Sequence, residues 1–163
     1  MQIILKNKDT LLFDEFEFKC VIGKKGLTKK KKEGDMKTPK GIYSLGNLYF
    51  RKDKIPNPET KLKKFPINKN MCWCDDPQSK YYNKLINIKE KVRHEKMFRR
   101  DNIYDLLIVI NYNTKKIIKN KGSAIFLHLT NNYKKTQGCI ALKKKDFLIL
   151  LKLINKKTKI KIS

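Results

Sequence analysis

The sequence predicts a mainly β fold: a mixed β-sheet or sandwich in one domain, with one helix near the C-terminus and long loops. Several short runs alternate with period two, as where Phe16, Phe18 and Cys20 interleave with Glu17, Lys19 and Val21. Glycine, proline, asparagine and aspartate separate those runs. Phe147, Leu150, Leu151 and Ile154 stand at i, i+3, i+4 and i+7, the stripe of a core-facing helix. A chain of 163 residues suits one domain, 1–163, with one buried core, and no internal repeat or low-complexity linker divides it.

In order, Ile3–Leu5 and Leu11–Phe13 flank the turn-like Asn7–Asp9, and Phe16–Val21 follows, which reads as a meander with Cys20 facing a core. Gly23 to Glu33 is a loop whose lysine run, Lys29–Lys32, reads as solvated and mobile. Gly34, Asp35, Thr38, Pro39 and Gly41 form a compact turn into strands at Ile42–Leu45 and Asn47–Phe50. Arg51 to Asn70 is a long polar connection with a short strand near Phe65–Ile67. Tyr81, Tyr82 and Asn83 read as an irregular surface segment. Leu106–Ile110 is an apolar strand ended by the Asn111-Tyr112-Asn113 turn, with Lys116–Ile118 pairing back. Asp146 is placed to cap the C-terminal helix, and Lys156 and Lys157 suit its other end. Lys159–Ile162 alternates and closes the sheet.

Forty Lys plus Arg against fifteen Asp plus Glu give a formal net charge of +25. A basic face binds nucleic acid by releasing counterions from phosphates. Here the lysines are dispersed and no recognition-helix, OB or RNP-like pattern stands out, so no specific nucleic acid is expected. Such a surface still attracts anionic polymers and carboxylates. No stretch is apolar enough to span a bilayer. Lys6, Lys8 and Asp9 interrupt the place where an export signal needs an apolar run, which leaves a cytoplasmic location open. Four cysteines, Cys20, Cys72, Cys74 and Cys139, are too few for a disulfide scaffold. Cys72-x-Cys74 lacks zinc-finger spacing, and a metal site from these two with His94 and His128 is the weaker alternative.

The stretch Ala124 to Leu142 holds the strongest chemical signal. An apolar run, Ala124–Leu127, delivers His128; a polar, turn-rich segment follows; then Gly138 and Cys139 precede a second apolar run, Ile140–Leu142. A His and a Cys joined by a short loop are the minimum for thiol nucleophilic catalysis, with the imidazole taking the thiol proton. Gly138 lets the backbone bend so that the N–H groups of Gly138, Cys139 and Gln137 can point at a developing oxyanion. The competing assignment is a buried structural Cys beside a structural His.

Two further clusters hold candidate binding groups. Trp73 precedes the carboxylates Asp75 and Asp76, which either bind a substrate ammonium or form an Asx turn. His94 and Glu95 lie near Arg93, Arg99 and Arg100, a store of cations for a carboxylate, and His94 is the rival catalytic base.

IFLHL and TQGCIAL, with GDMKTPKGIYSLG at Gly34–Gly46, WCDDP, HEKMFRRDNIYDLL and GSAIFLHL, resemble the YkuD-type L,D-transpeptidase catalytic domain over nearly the whole chain. The resemblance implies the L,D-transpeptidase type of β fold, a Cys nucleophile acting on peptidoglycan stem peptides, no metal or organic cofactor, and a place in the cell envelope. It implies Cys139, His128 and Gly138 as catalytic residues, with the Leu129 carbonyl orienting the imidazole. It adds the His94–Glu95 and Tyr104–Asp105 pairs as pocket residues. The common family form has Gly after the His, a longer spacer, a His before Gly-Cys, and an Arg two residues after the Cys. Here Leu129, a shorter spacer, Gln137 and Ala141 stand instead, as in a divergent branch. The segment with Arg93, Arg99 and Arg100 is then the reserve of cations for a substrate carboxylate, with Arg99 among the candidate binding residues.

Overall fold

The computed structural model describes residues 1–163. The chain opens as the expected meander: β1 (Gln2–Lys6), β2 (Thr10–Phe13) and β3 (Phe16–Val21) pair antiparallel in turn. Its tight turns place Asn7, Lys8 and Asp14 at positive φ, which Asn and Asp tolerate best. Phe18 and Cys20 face the core, as the alternation requires.

Two short parallel strands, β4 (Leu27–Thr28) and β5 (Thr38–Pro39), bracket the lysine run. That run is not uniformly solvated. Lys31 is buried, with its ammonium paired to Asp35 and 3.0 Å from the Lys32 carbonyl. Asp35, four residues on, supplies the counter-charge that makes burial tolerable, and it also accepts the Lys32 and Lys37 N–H groups.

The two strands expected between Ile42 and Phe50 are one long strand, β6 (Gly41–Phe50). Further on come β7 (Lys64–Pro66), β8 (Met71–Cys74), β9 (Leu85–Asn87), β10 (His94–Lys96) and β11 (Leu106–Ile110). β8 is the centre of a small antiparallel sheet between β10 and β9. Lys116–Ile118 forms no strand. The Asn113 side chain instead closes the segment into a loop, bonding the Ile118 N–H at 2.8 Å and its carbonyl at 2.9 Å. The chain ends with β12 (Phe126–Leu129), β13 (Ile140–Leu142), α1 (Lys144–Leu153) and β14 (Lys159–Ile162).

The main ladder runs β11-β12-β13-β3-β2-β1-β14-β6-β7, and β6 also pairs with β11, so the ladder returns on itself. The length of β6 makes this closure: its first residues pair with β14 and its last with β11 and β7. Inside lie Ile3, Leu11, Leu48, Leu106, Leu127, Leu142 and Ile160. The helix adds Phe147, Leu150 and Leu151, and Ile154 follows at its C-cap. Each such side chain contributes about 1.5–3 kcal/mol on burial. Asp146 does not cap this helix. Lys143 is the N-cap residue, without a side-chain cap, and Asp146 sits in the first turn, where its charge still suits the helix N-terminus. Lys156 and Lys157 lie beyond the helix, and Lys152 occupies its last turn.

A second apolar cluster joins the small sheet to the outside of β11 and β12. It contains Trp73, Met97, Tyr104, Leu107, Phe126 and Cys139. This cluster is the floor on which the candidate site stands.

Candidate active site

β12 and β13 are parallel neighbours in a register that sets Leu127 opposite Ile140 and His128 opposite Ala141. Side chains alternate along a strand, so Cys139, two residues before Ala141, falls on the same face as His128. Both residues, with Ala141, line one cavity of about 830 Å³. The crossover from Thr130 to Gln137 forms one wall of it, and Lys31, Glu33, Glu95 and Arg99 stand on others.

Cys139 is buried, and its Sγ lies 3.2 Å from the Ala124 carbonyl and 3.4 Å from the Phe126 N–H. The carbonyl can only accept, so the thiol donates to Ala124 while the sulfur accepts from Phe126. Desolvation, aided by the Glu95 charge, pushes the thiol up to about 12. His128 is also buried, with Nδ1 2.8 Å from the Leu129 carbonyl. That contact requires the proton on Nδ1 and leaves a lone pair on Nε2. Burial pushes the imidazole down to about 4. At neutral pH both groups are uncharged, and the hydrogen bonds of the sulfur go to Ala124 and Phe126 rather than to His128. The Tyr104 ring packs edge-on against His128, with centroids 5.2 Å apart.

Gly138 takes φ +142°, and a Cβ there would come within 3.0 Å of the Lys37 carbonyl, so the backbone needs glycine. Its N–H is already used: it donates to Thr136 Oγ1 at 3.1 Å, and that hydroxyl donates to the Cys139 carbonyl at 2.6 Å. The expected oxyanion donor at Gly138 is therefore engaged. The N–H groups of Gln137 and Cys139 donate to no protein group and remain for that task.

Asp75, His94, Glu95, Arg99, Tyr104, Gln137 and Leu129 line the cavity with the Cys–His pair. Trp73 and Asp76 do not. The Trp73 ring is buried edge-on behind Phe126, with its indole N–H on Asn83 Oδ1 at 2.9 Å. Asp76 accepts the Gln78 N–H at 3.0 Å, the Asx-turn alternative. Asp75 pairs with Arg93 at 3.1 Å. His94 has its Nδ1 2.7 Å from the Val92 carbonyl. Cys72 and Cys74 pack under Ile86, outside the cavity that holds the two histidines, so the four-residue metal set is not assembled.

Glu95 accepts the Tyr104 hydroxyl at 2.6 Å and lies 3.9 Å from the Arg99 guanidinium. Burial raises its carboxyl above the usual range, against the pull of Tyr104 and Arg99. Arg99 also clasps Asp101 through two nitrogens and lies over the Tyr104 ring. The cavity thus holds opposed charges: Lys31, Lys96, Arg99, Lys134 and Lys135 against Glu33, Asp75, Glu95 and Asp101.

Several site residues escaped sequence reasoning. Lys31 and Glu33 fall in a stretch that reads in sequence as a loop, with its lysine run solvated and mobile. Glu33 instead accepts hydrogen bonds from Tyr82 and from Ser123, the latter at 2.8 Å. Tyr82 and Asn83 are buried, not a surface segment. The spacing of Lys31 and Asp35 was the one available signal for this wall.

The profile of the L,D-transpeptidase catalytic domain, YkuD, matches residues 3–162. No curated protein matches the chain in sequence. Among solved structures, the fold is similar to Bd1075 of Bdellovibrio bacteriovorus, with a TM-score of 0.52 and 17% identity over 99% of this chain and 46% of that one. It is similar, too, to the helical cell shape determining protein Pgp2 of Campylobacter jejuni, with a TM-score of 0.52 and 19% identity over 98% of this chain and 46% of that one. The chain therefore spans less than half the length of either protein. At these identities the two structures speak for the fold, and the profile match, running through every strand of the ladder, speaks for the family: the chain belongs to the YkuD family of L,D-transpeptidase catalytic domains.

Proposed function

We propose that this protein is a cysteine-dependent peptidoglycan L,D-transpeptidase that remodels the cell wall, with Cys139 as nucleophile and His128 as base. The observation that supports this most is the meeting of Cys139 and a tautomer-locked His128 on one face of adjacent strands, in one cavity. The substrate is the tetrapeptide stem of peptidoglycan, in keeping with the family, and the setting is the cell envelope, with an influence on cell shape.

The sulfur attacks the carbonyl carbon of the L,D peptide bond as His128 Nε2 takes its proton. A C–S bond forms and the carbonyl π pair moves onto oxygen, where the Gln137 and Cys139 N–H groups receive it. Two neutral, desolvated groups do not separate charge readily on their own. Proton transfer therefore accompanies attack, so that negative charge develops on the oxyanion and not on sulfur. Collapse re-forms the C=O and breaks the C–N bond, and the departing D-amino acid takes the proton from His128. An acceptor amine then gives a proton to His128, attacks the thioester and expels the sulfur, which recovers that proton. Water in place of the amine gives L,D-carboxypeptidase activity, and a protein amine gives attachment to the wall. Arg99 holds a donor carboxylate in place of the family's Arg, and Glu95 and Asp75 face an ammonium on the stem.

Cys139→Ala tests the assignment. Turnover of tetrapeptide muropeptides is expected to fall by about three orders of magnitude or more. Near-normal turnover would overturn it. Carbapenem should leave an acyl adduct on the Cys139 peptide and none on Cys20, Cys72 or Cys74. A non-catalytic basic binding protein predicts the reverse: binding that collapses with salt and is indifferent to Cys139→Ala. Muropeptide analysis of treated sacculi identifies the acceptor.

A further inference from the structure

We propose that Asn83 is a positioning residue for this reaction: by holding Ala124 in a left-handed conformation, it commits the Cys139 thiol proton to the Ala124 carbonyl until substrate is seated. The inference rests on Cys139 being the nucleophile.

Asn83 is buried and uses its whole side-chain amide. Oδ1 accepts from the Trp73 indole at 2.9 Å and from the Ala124 N–H at 3.0 Å. Nδ2 donates to the carbonyls of Tyr112 at 3.1 Å and Asn113 at 2.8 Å. One amide thus ties together β8, the loop after β11 and Ala124, two residues ahead of β12. Ala124 has φ +51°, a region that alanine occupies only under constraint. The same conformation carries the Ala124 carbonyl to 3.2 Å from Cys139 Sγ.

The neighbour of Asn83 braces the other flank. The Tyr82 hydroxyl accepts the Gly122 N–H at 3.0 Å and donates to Glu33, which also takes the Ser123 hydroxyl. Tyr82 and Asn83 therefore grip residues 122–124 from one side. Asn83 is the one partner of the Ala124 N–H, and the Ile110 N–H holds the Ile125 carbonyl at 3.0 Å, so Asn83 fixes the upstream side of the turn that aims the Ala124 carbonyl.

A thiol stored this way is protonated and shielded in the free protein, and it reacts only when a bound carbonyl draws the proton toward His128. Asn83 touches neither substrate nor sulfur and acts through Ala124.

The test is infrared spectroscopy of the S–H stretch together with steady-state kinetics. The Cys139 band is assigned by its loss in Cys139→Ala. Asn83→Gly deletes the amide while suiting the φ of +56° at this position. In wild-type protein the band is expected at the lowered frequency of an S–H bonded to a carbonyl. In folded Asn83→Gly, verified by circular dichroism, the band should move up, and, because the same bond fixes the direction of Cys139 Sγ, kcat should fall by roughly tenfold or more with KM little changed. An unchanged band, or an unchanged kcat, in folded Asn83→Gly overturns the proposal. If Asn83→Gly does not fold, the wild-type spectrum decides: no Cys139 S–H band at neutral pH, or one at the frequency of an unbonded thiol, overturns it. These failures differ from failure of the proposed reaction, which shows as full activity in Cys139→Ala.

Discussion

Ala141 stands directly opposite His128 across the parallel β12–β13 ladder, and only its methyl group enters the cavity on that side. An arginine at this place would project beside the imidazole. The guanidinium that lines the cavity is instead that of Arg99, which reaches it from the segment between β10 and β11. Arg99→Ala is expected to raise KM for tetrapeptide stems by roughly 10- to 100-fold, the worth of one charged hydrogen bond. Ala141→Arg in that background should recover part of the loss. Steady-state kinetics of the single and double variants check both.

His128 gives the fold an acid limit. Its folded pKa is depressed to about 4 from 6.5, so the unfolded chain binds the proton more readily. The stability tied to the neutral imidazole is present above pH 6.5 and is lost as pH falls toward 4, a change of about 3 kcal/mol. Urea denaturation across this range should show that loss, and His128→Gln should flatten it.

Tyr104→Phe removes the hydroxyl that donates to Glu95 but keeps the ring against His128. A half-buried carboxyl short of one donor should cost about 1 kcal/mol, measured by chemical denaturation. The Glu95 carboxyl should also titrate at still higher pH, followed by NMR of its side chain.

Gly122 has φ +97°, and a Cβ there would meet Lys31 Cγ at 2.8 Å. Gly122→Ala should destabilise by about 1–3 kcal/mol. Lys31→Ala relieves the clash but not the backbone strain, so the cost of Gly122→Ala should shrink in that background without vanishing. A double-mutant cycle of thermal unfolding measures the coupling.

Much of the ladder is legible as text because its strands alternate or run apolar: β1 to β3, β11 to β13, and β14. The strands missed are two to four residues long, such as β4, β5, β8 and β10. They exist because neighbours pair with them, and a three-residue string carries no period. The Lys31 burial was hidden for a related reason: a lysine run looks solvated unless Asp35 is seen folding back onto it. Within the site, short apolar runs flanking a turn forecast that His128 and Cys139 would sit on neighbouring strands. The engagement of the Gly138 N–H by Thr136 and the retreat of Trp73 behind Phe126 depend on side-chain direction, which spacing does not encode. Tyr81 to Asn83 reads as an irregular surface segment because three polar or half-polar residues in a row carry no period. The four hydrogen bonds of Asn83 reach segments that are remote in sequence.

Parallel neighbours cannot be joined by a hairpin, so residues 130–139 must travel back along the sheet before β13 begins. That return path is itself a wall of the cavity. A division is then built into the topology: the Cys139–His128 pair rides on or beside hydrogen-bonded strands, while one wall of its cavity lies on a connector free to lengthen, shorten or change charge. The shape and charge of that wall can drift in such a molecule while the Cys–His pair stays where it is.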